Sequence, residues 1–209
     1  MKAHTKETQA AITSENALNL LKEGNSRFQN NTPLDRDLLG QVSDTSKGQY
    51  PFATILSCID SRVSSELIFD QGIGDIFSAR VAGNFVNEDI LGSMEYASKL
   101  AGTKLIVVLG HTSCGAVKGA CDGFKLGNLT KMLEKIKPAI NAVTLPEDIN
   151  LRNALNLEFV DNVATKNVQL TIDRILNESD VLVEMQKNGE IMILGAMYNV
   201  NTGVVTFHE

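Results

Sequence analysis

Short apolar segments alternate with helical patterns along most of this chain, and this alternation restricts the fold more than any other feature. The segments with the length and apolar character of buried strands are Phe52–Ser57, Asp75–Val81, Lys104–Gly110 and Glu190–Ala196. Helical patterns separate them, around Ser64–Phe69, around Asp89–Leu100 and over the long stretch Asp148–Asn188. Strands that alternate with helices form parallel sheets, because each crossover returns the chain to the same end of the sheet. We therefore predict a single α/β domain with a mainly parallel central sheet and helices on its faces.

The N-terminal part of the chain has a different pattern from this core. Ser14–Phe28 spaces its apolar residues near a helical period, with Ser14 available as the cap, and predicts an amphipathic helix. The polar stretch Asn30–Gly48 predicts a loop that includes a short helix. We expect residues 1–48 to form an N-terminal helical arm and residues 49–209 to form the α/β core that carries the functional site.

The C-terminal end predicts an additional strand. Tyr198–Gly203 reads as a turn, and Val204–Phe207 follows it with strand-forming residues. A strand that returns directly after a turn pairs antiparallel, so we expect an antiparallel edge strand on the otherwise parallel sheet.

Composition and charge exclude several classes of protein. The 209 residues are 43% apolar and 21% charged, which suits one compact globular domain. A net charge of −6 provides no basic surface for phosphates, so we expect no nucleic-acid partner. No apolar run approaches the roughly 18 residues of a membrane-spanning helix, and we expect no membrane partner. The polar N-terminus lacks the apolar core of a secretory signal, which favours the cytoplasm, or the periplasm if a leader was removed.

Cysteine and histidine are scarce, and their positions predict a metal site. The cysteines are Cys58, Cys114 and Cys121, and His111 is the one histidine away from the chain ends. Cys58 follows the first predicted strand, whereas His111 and Cys114 follow the third. Sites in open parallel sheets form outside the carboxyl ends of the strands, so these three side chains should share one crevice. Two thiolates and one imidazole are typical zinc ligands. Cys121 is better interpreted as a small core residue on the following helix.

A catalytic zinc site keeps one position open, and this chain offers no obvious fourth cysteine or histidine. Asp60 is separated from Cys58 by one residue, so it could bind the metal or accept a hydrogen bond from metal-bound water. Arg62 could keep Asp60 ionised. Because zinc lowers the pKa of its bound water to about 7, such a site produces a hydroxide nucleophile at neutral pH.

The two site segments resemble the beta-class carbonic anhydrases, whose hallmark motifs are C-x-D-S-R and H-x-x-C-G. Both motifs are intact here, at Cys58–Arg62 and at His111–Gly115. The resemblance continues through most of the chain, in Glu23–Phe28, Gly48–Gln49, Arg80–Asn84, Gly195–Tyr198 and Thr202–Gly203. It implies a carbonate dehydratase, a zinc lyase that converts carbon dioxide to bicarbonate and a proton.

Carried over position by position, the resemblance implies a role for each matching residue. Cys58, His111 and Cys114 would hold Zn²⁺, while the Asp60–Arg62 dyad would orient zinc-bound hydroxide. In a closed, inactive state Asp60 itself would occupy the metal. The substrate-binding residues would be Gln49, Phe77, Ala82, Tyr96 and Gly115. Gln49, Phe77 and Tyr96 would come from a partner subunit, which implies a homodimer or a higher homo-oligomer such as a homotetramer.

Some members of the family bind bicarbonate in an inhibitory pocket that contains a tryptophan three residues before the first cysteine. This chain has Ile55 there and contains no tryptophan, which argues against bicarbonate inhibition. Arg80 matches the arginine of that pocket but fits a structural ion pair equally well.

Three other functions are compatible with the same residues. The zinc site could hydrolyse carbon disulfide or carbonyl sulfide, because these linear molecules present a similar electrophilic carbon. Zinc could instead be structural or sensory, with Asp60 as a permanent fourth ligand. A disulfide between Cys58 and Cys114 would give a metal-free binding module.

Overall fold

The computed structural model describes residues 2–208 and contains one central sheet with the strand order β2-β1-β3-β4-β5. The strands are β1 (Ala53–Ser57), β2 (Ile76–Arg80), β3 (Leu105–His111), β4 (Met192–Tyr198) and β5 (Val205–His208). Neighbouring strands from β2 to β4 run parallel, and β5 pairs antiparallel with β4. The predicted α/β fold with its antiparallel edge strand is confirmed, with strand ends displaced by one or two residues.

Helices cover both faces of the sheet. Their bounds are α1 (Lys6–Ala10), α2 (Ser14–Gln29), α3 (Leu38–Thr45), α4 (Ser65–Ile68), α5 (Glu88–Glu95), α6 (Gly115–Cys121), α7 (Gly127–Glu134), α8 (Lys137–Ala142), α9 (Leu157–Glu178) and α10 (Asp180–Lys187). A π-helical turn at Tyr96–Leu100 extends α5, and a 3-10 turn at Ile149–Leu151 precedes α9.

Two helix ends differ from the sequence prediction. The cap of α2 is Thr13 and not Ser14, because the Thr13 side chain accepts the Asn16 backbone N–H at 3.1 Å. The long helical stretch is divided at Ser179, whose extended backbone ends α9 and whose hydroxyl accepts the Leu182 N–H at the start of α10. The division into an arm of residues 1–48 and a core from residue 49 stays a prediction.

The central strand β3 shows how the sheet is buried on both sides. Its side chains alternate between two apolar clusters: Leu105, Val107 and Leu109 pack with α2, whereas Ile106 and Val108 pack with α9 and α10. A strand covered on both faces has no polar alternation and reads as a continuous apolar run. This burial leaves only the strand ends available for polar chemistry.

Asn25 joins α2 to the end of the sheet. Its side-chain amide donates to the backbone oxygens of Ile68 and Gly203, and its Oδ1 accepts the backbone N–H of Val205. The side chain is 3% exposed and fully bonded, so it holds α2 without leaving an unpaired buried amide.

The contact of α2 with the core depends on Gly24. A Cβ at this position would lie 1.7 Å from the Phe69 backbone oxygen, where no side-chain rotation can relieve the clash. We expect Gly24→Ala to lower the free energy of unfolding by about 2 to about 4 kcal/mol in urea denaturation. Gly119→Ala is the matched control, since its Cβ would meet Leu133 Cδ1 at an ordinary contact distance of 3.4 Å. This variant should keep the wild-type free energy of unfolding. If the two variants had equal free energies of unfolding, the close approach of Gly24 to the Phe69 backbone would be contradicted.

A buried ion cluster joins the loop after α2 to the core. Asp70 is 7% exposed and accepts hydrogen bonds from the Arg27 and Arg36 guanidinium groups and from the Leu34 N–H. Burial opposes ionisation of this carboxyl group, but the hydrogen bonds of the two arginines outweigh it and lower its pKa.

Because the pKa of Asp70 is lowered in the folded state, the free energy of unfolding depends on pH in the acid range. Asp70 stabilises the folded state above its unfolded pKa of about 3.9, and this contribution is lost as the pH falls through the lower folded value. We expect the free energy of unfolding to decrease below about pH 4, and Asp70→Asn to flatten that decrease. An unchanged acid slope in the variant, measured by urea denaturation at each pH, would contradict the assignment.

Candidate metal centre

The predicted site segments meet at the carboxyl end of the sheet. Cys58 follows β1 directly, His111 is the last residue of β3, and Cys114 immediately precedes α6. Because β1 and β3 are parallel neighbours, with Ser57 opposite Leu109, their carboxyl ends lie side by side. This arrangement brings together residues more than fifty positions apart in the sequence.

Cys58, His111 and Cys114 form a compact, buried donor cluster. Their ligand atoms all lie within 4.8 Å of one another, and the two Sγ atoms are 4.0 Å apart. The residues are 3%, 0% and 1% exposed. A disulfide requires about 2.05 Å between sulfur atoms, so these cysteines are free in the structure.

The orientation of His111 suits a metal ligand. Its Nδ1 lies 3.0 Å from the Thr112 backbone oxygen, which favours the tautomer that carries the proton on Nδ1. Its Nε2 is buried and has no hydrogen-bond partner. A buried nitrogen without a partner is costly unless a bound species occupies it, and two sulfurs with one imidazole nitrogen are a donor set that fits zinc.

A hydrogen bond joins the two thiols. This bond lowers the pKa of Cys58, against the opposing effect of burial, and the same contact raises the pKa of Cys114. A bound dication would deprotonate both thiols, because a coordinating thiol loses its proton.

Asp60 lies beside this cluster in a bidentate pair with Arg62. Arg62 Nε donates to Oδ1 at 2.9 Å, Nη2 donates to Oδ2 at 2.7 Å, and the Arg62 backbone N–H also reaches Oδ1. These bonds hold the pKa of Asp60 well below its usual range. Asp60 Oδ2 is 3.9 Å from His111 Nε2, so an ionised, acceptor-only carboxylate faces the donor cluster.

Further contacts hold the site loops, and of the side chains that make them only Arg80 was singled out from the sequence. Arg80 donates to the backbone oxygens of Cys58 and Asp60 at 3.0 and 2.8 Å. Asp161 of α9 accepts the Ser113 N–H at 2.7 Å, where Ser113 has a positive φ of 54°. These contacts connect elements far apart in the sequence, and no periodicity or spacing signals them.

A cavity of about 460 Å³ opens beside the cluster. Cys58, Asp60, Ala82 and Gly115 line it, together with apolar residues of α6 and α7 and the segment between them. The structure thus brings Ala82 and Gly115 to the predicted metal ligands. Cys121 does not line it and packs against the neighbouring apolar core, where burial raises its pKa to about 11.

The other predicted substrate residues lie elsewhere on the same chain. Phe77 and Tyr96 face each other across 6.3 Å between ring centroids, in a separate cavity of about 630 Å³ beside the edge strand β2. Tyr96 is 52% exposed, and Gln49 is exposed in the loop before β1. A single chain does not bring these three side chains to the donor cluster.

A mainly parallel α/β sheet with a Cys–His–Cys cluster at its carboxyl end places the protein in the class of α/β proteins with a zinc-type donor site. The sequence profile of the family described as "Carbonic anhydrase" matches residues 53–205, and the chain belongs to this family. It is therefore an enzyme of the carbonate dehydratase type.

Known proteins agree with this assignment. Carbonic anhydrase 2 of Mycobacterium tuberculosis is 35% identical over 189 residues, which cover 88% of this chain and 87% of the relative. The β-carbonic anhydrase CafA of Aspergillus fumigatus superposes with a TM-score of 0.71 at 26% identity, covering 93% of this chain and 90% of that chain. A solved structure from work on two tetrameric β-carbonic anhydrases of Sordaria macrospora gives a TM-score of 0.66 at 25% identity, covering 78% and 82%.

Among residues 2–208, no helix is long and apolar enough to cross a membrane.

Proposed function

We propose that this enzyme catalyses the reversible hydration of carbon dioxide to bicarbonate and a proton, with zinc held by Cys58, His111 and Cys114. The observation that carries the proposal is the position of Asp60. Its carboxylate is held by Arg62 and faces the buried, unpartnered Nε2 of His111 at 3.9 Å. Bound zinc would supply a Lewis acid that makes a water molecule acidic enough to attack at neutral pH.

Asp60 would orient that water. Because Arg62 keeps the carboxylate ionised, Asp60 can only accept hydrogen bonds. A water that donates one hydrogen bond to Oδ2 would then keep a lone pair free to attack the substrate. The bidentate pair also supports Asp60 as an orienting group and not as a permanent fourth ligand, since both of its oxygens are bonded to Arg62.

Carbon dioxide would occupy the cavity beside the cluster. Ala82 offers an apolar wall there, and the backbone N–H of Gly115, the first residue of α6, would stabilise the charge that develops on the substrate oxygens. The mainly apolar lining of this cavity suits a substrate that is linear and uncharged before attack.

A second copy of the chain would complete the pocket with Gln49, Phe77 and Tyr96. The exposure of Gln49 and Tyr96 on one chain supports this arrangement, because a single chain leaves them away from the cluster. A twofold dimer would contain two such shared sites. The Sordaria enzymes described as tetrameric are compatible with dimers that associate further.

Mixed dimers test this shared pocket. We expect Gln49→Ala and Cys58→Ser homodimers to be almost inactive, and an equimolar mixture that exchanges subunits to regain about a quarter of the wild-type hydration rate. Half of the dimers would then be mixed, and each would have one intact site. A mixture no more active than its components, with exchange verified by differential tagging, would contradict a pocket shared between subunits.

Substrate comparison tests the reaction itself. Carbon disulfide and carbonyl sulfide carry a similar electrophilic carbon, and the zinc-loaded protein should hydrate carbon dioxide with a kcat/KM at least about 10³-fold above either hydrolysis. The measurement is stopped-flow hydration beside sulfide release on one preparation. Sulfide release without hydration would replace the proposed reaction with a hydrolase.

A further inference from the structure

Helix α9 carries a buried amide on the face that packs against the sheet. Asn167 is 3% exposed and lies among buried residues of the same helix, including Val163 and Val168. A buried amide is retained only where its hydrogen bonds are satisfied. The Asn167 Nδ2 group donates to the Gly83 backbone oxygen at 2.8 Å, so the partner of this amide belongs to the loop between β2 and α5.

Gly83 in turn contacts the donor cluster. Its backbone N–H donates to Cys58 Sγ at 3.4 Å. Gly83 therefore connects Asn167, which binds its backbone oxygen, to a predicted metal ligand, which its backbone N–H contacts.

The loop around Gly83 forms a tight turn, closed by a hydrogen bond from the Asn84 N–H to the Val81 backbone oxygen at 2.9 Å. Gly83 has a φ of 82° and Asn84 a φ of 39°, so two successive residues adopt the left-handed region. Glycine adopts that region without strain, and a Cβ on Gly83 would lie 2.6 Å from Ile136 Cδ1. Asn167, on the 22-residue helix α9, anchors this turn from outside through the Gly83 backbone oxygen.

We propose that Asn167 is a positioning residue for the metal site, which holds the Gly83 N–H against the Cys58 sulfur. This inference rests on the zinc site of the proposed function. An N–H group that bonds to a thiolate withdraws charge from the sulfur and restricts its direction, and outer partners of this kind tune metal affinity. Loss of the Asn167 amide releases the Gly83 turn, so Cys58 loses both its hydrogen bond and its orientation.

The test compares Asn167→Leu, Asn167→Ala and wild type, with Thr171→Val as the matched control. Thr171 is also buried on α9, 2% exposed, and one turn further along the helix. Zinc affinity is measured by competition with a chelator, and the thiolate-to-metal charge-transfer absorption is measured after cobalt replaces zinc. Circular dichroism and the urea midpoint verify that each variant is folded.

We expect both Asn167 variants to bind zinc about 10-fold to about 100-fold more weakly than wild type, while Thr171→Val keeps the wild-type affinity. The cobalt absorption should move to lower energy in the Asn167 variants, because a sulfur without its hydrogen bond is a better electron donor. If Asn167→Leu is too unstable to purify, the smaller Asn167→Ala decides the outcome.

Wild-type affinity and an unshifted band in a folded Asn167 variant would overturn the positioning role. A decrease in affinity equal to that of Thr171→Val would do the same, since it would reflect general destabilisation of α9. Wild-type protein that binds neither zinc nor cobalt would instead overturn the proposed zinc site, and this outcome is distinct because it needs no variant.

Discussion

Replacing Asp60 by asparagine is expected to lower kcat/KM for carbon dioxide hydration by about 10²-fold to about 10³-fold while zinc remains bound. The asparagine amide has nearly the same shape as the carboxylate, but it has one acceptor oxygen where the carboxylate has two. Its NH₂ group would face the Arg62 guanidinium, which now donates two hydrogen bonds to the carboxylate at 2.9 and 2.7 Å. The attacking water would lose its oriented acceptor. Stopped-flow hydration and metal content, measured on the same sample, check this result.

Glu178→Gln is the control for this substitution. It changes a carboxylate to an amide in another bidentate arginine pair, with Arg174, on the exposed surface of α9. Exposed ion pairs of this kind contribute little to folding stability, so the Glu178→Gln variant should hydrate carbon dioxide at the wild-type rate. An Asp60→Asn enzyme with a wild-type rate at full zinc content would show that Asp60 has no orienting role.

The second large effect is expected at the metal ligands. Cys58→Ser should reduce bound zinc to less than about a tenth of the wild-type content after dialysis against a chelator, and hydration should fall in proportion. A serine hydroxyl is not ionised at neutral pH, whereas the hydrogen bond from Cys114 lowers the pKa of the Cys58 thiol. The site would retain only one sulfur and one imidazole.

Cys121→Ser provides the matched control, since it makes the same chemical change seven positions beyond Cys114. Cys121 lies outside the donor cluster, and burial raises its pKa to about 11. Its zinc content and hydration rate should remain at wild-type values. Equal zinc loss in both variants would contradict the assignment of Cys58, because the effect would then not depend on the cluster.

The fold was predictable because its strands are buried on both faces. A strand such as β3 is apolar at nearly every position, and its length separates it from the helical patterns on either side. The short helices α7 and α8 were not predicted, since few turns give a weak periodic signal. The break at Ser179 was also missed, because it depends on a single hydroxyl that caps α10.

The site was predictable to the extent that its residues follow strands. Cys58, His111 and Cys114 meet because the carboxyl ends of parallel neighbours lie together. Asn167 and Asp161 were beyond prediction, since each acts through one hydrogen bond to a distant loop. Gln49, Phe77 and Tyr96, which we propose a partner subunit supplies, were predicted only from family resemblance. The spacing of residues in one chain does not indicate a pocket formed between two chains.

Zinc held by the Cys58–His111–Cys114 cluster is proposed to support carbon dioxide hydration. The most direct measurement is a zinc titration of the metal-free protein, with the hydration rate recorded by stopped flow at each addition, between about pH 6.5 and about pH 9. We expect the hydration rate to rise linearly with bound zinc and to reach its plateau at about one zinc per chain. A protein that binds one zinc per chain and hydrates no carbon dioxide at any pH in this range would contradict this proposal.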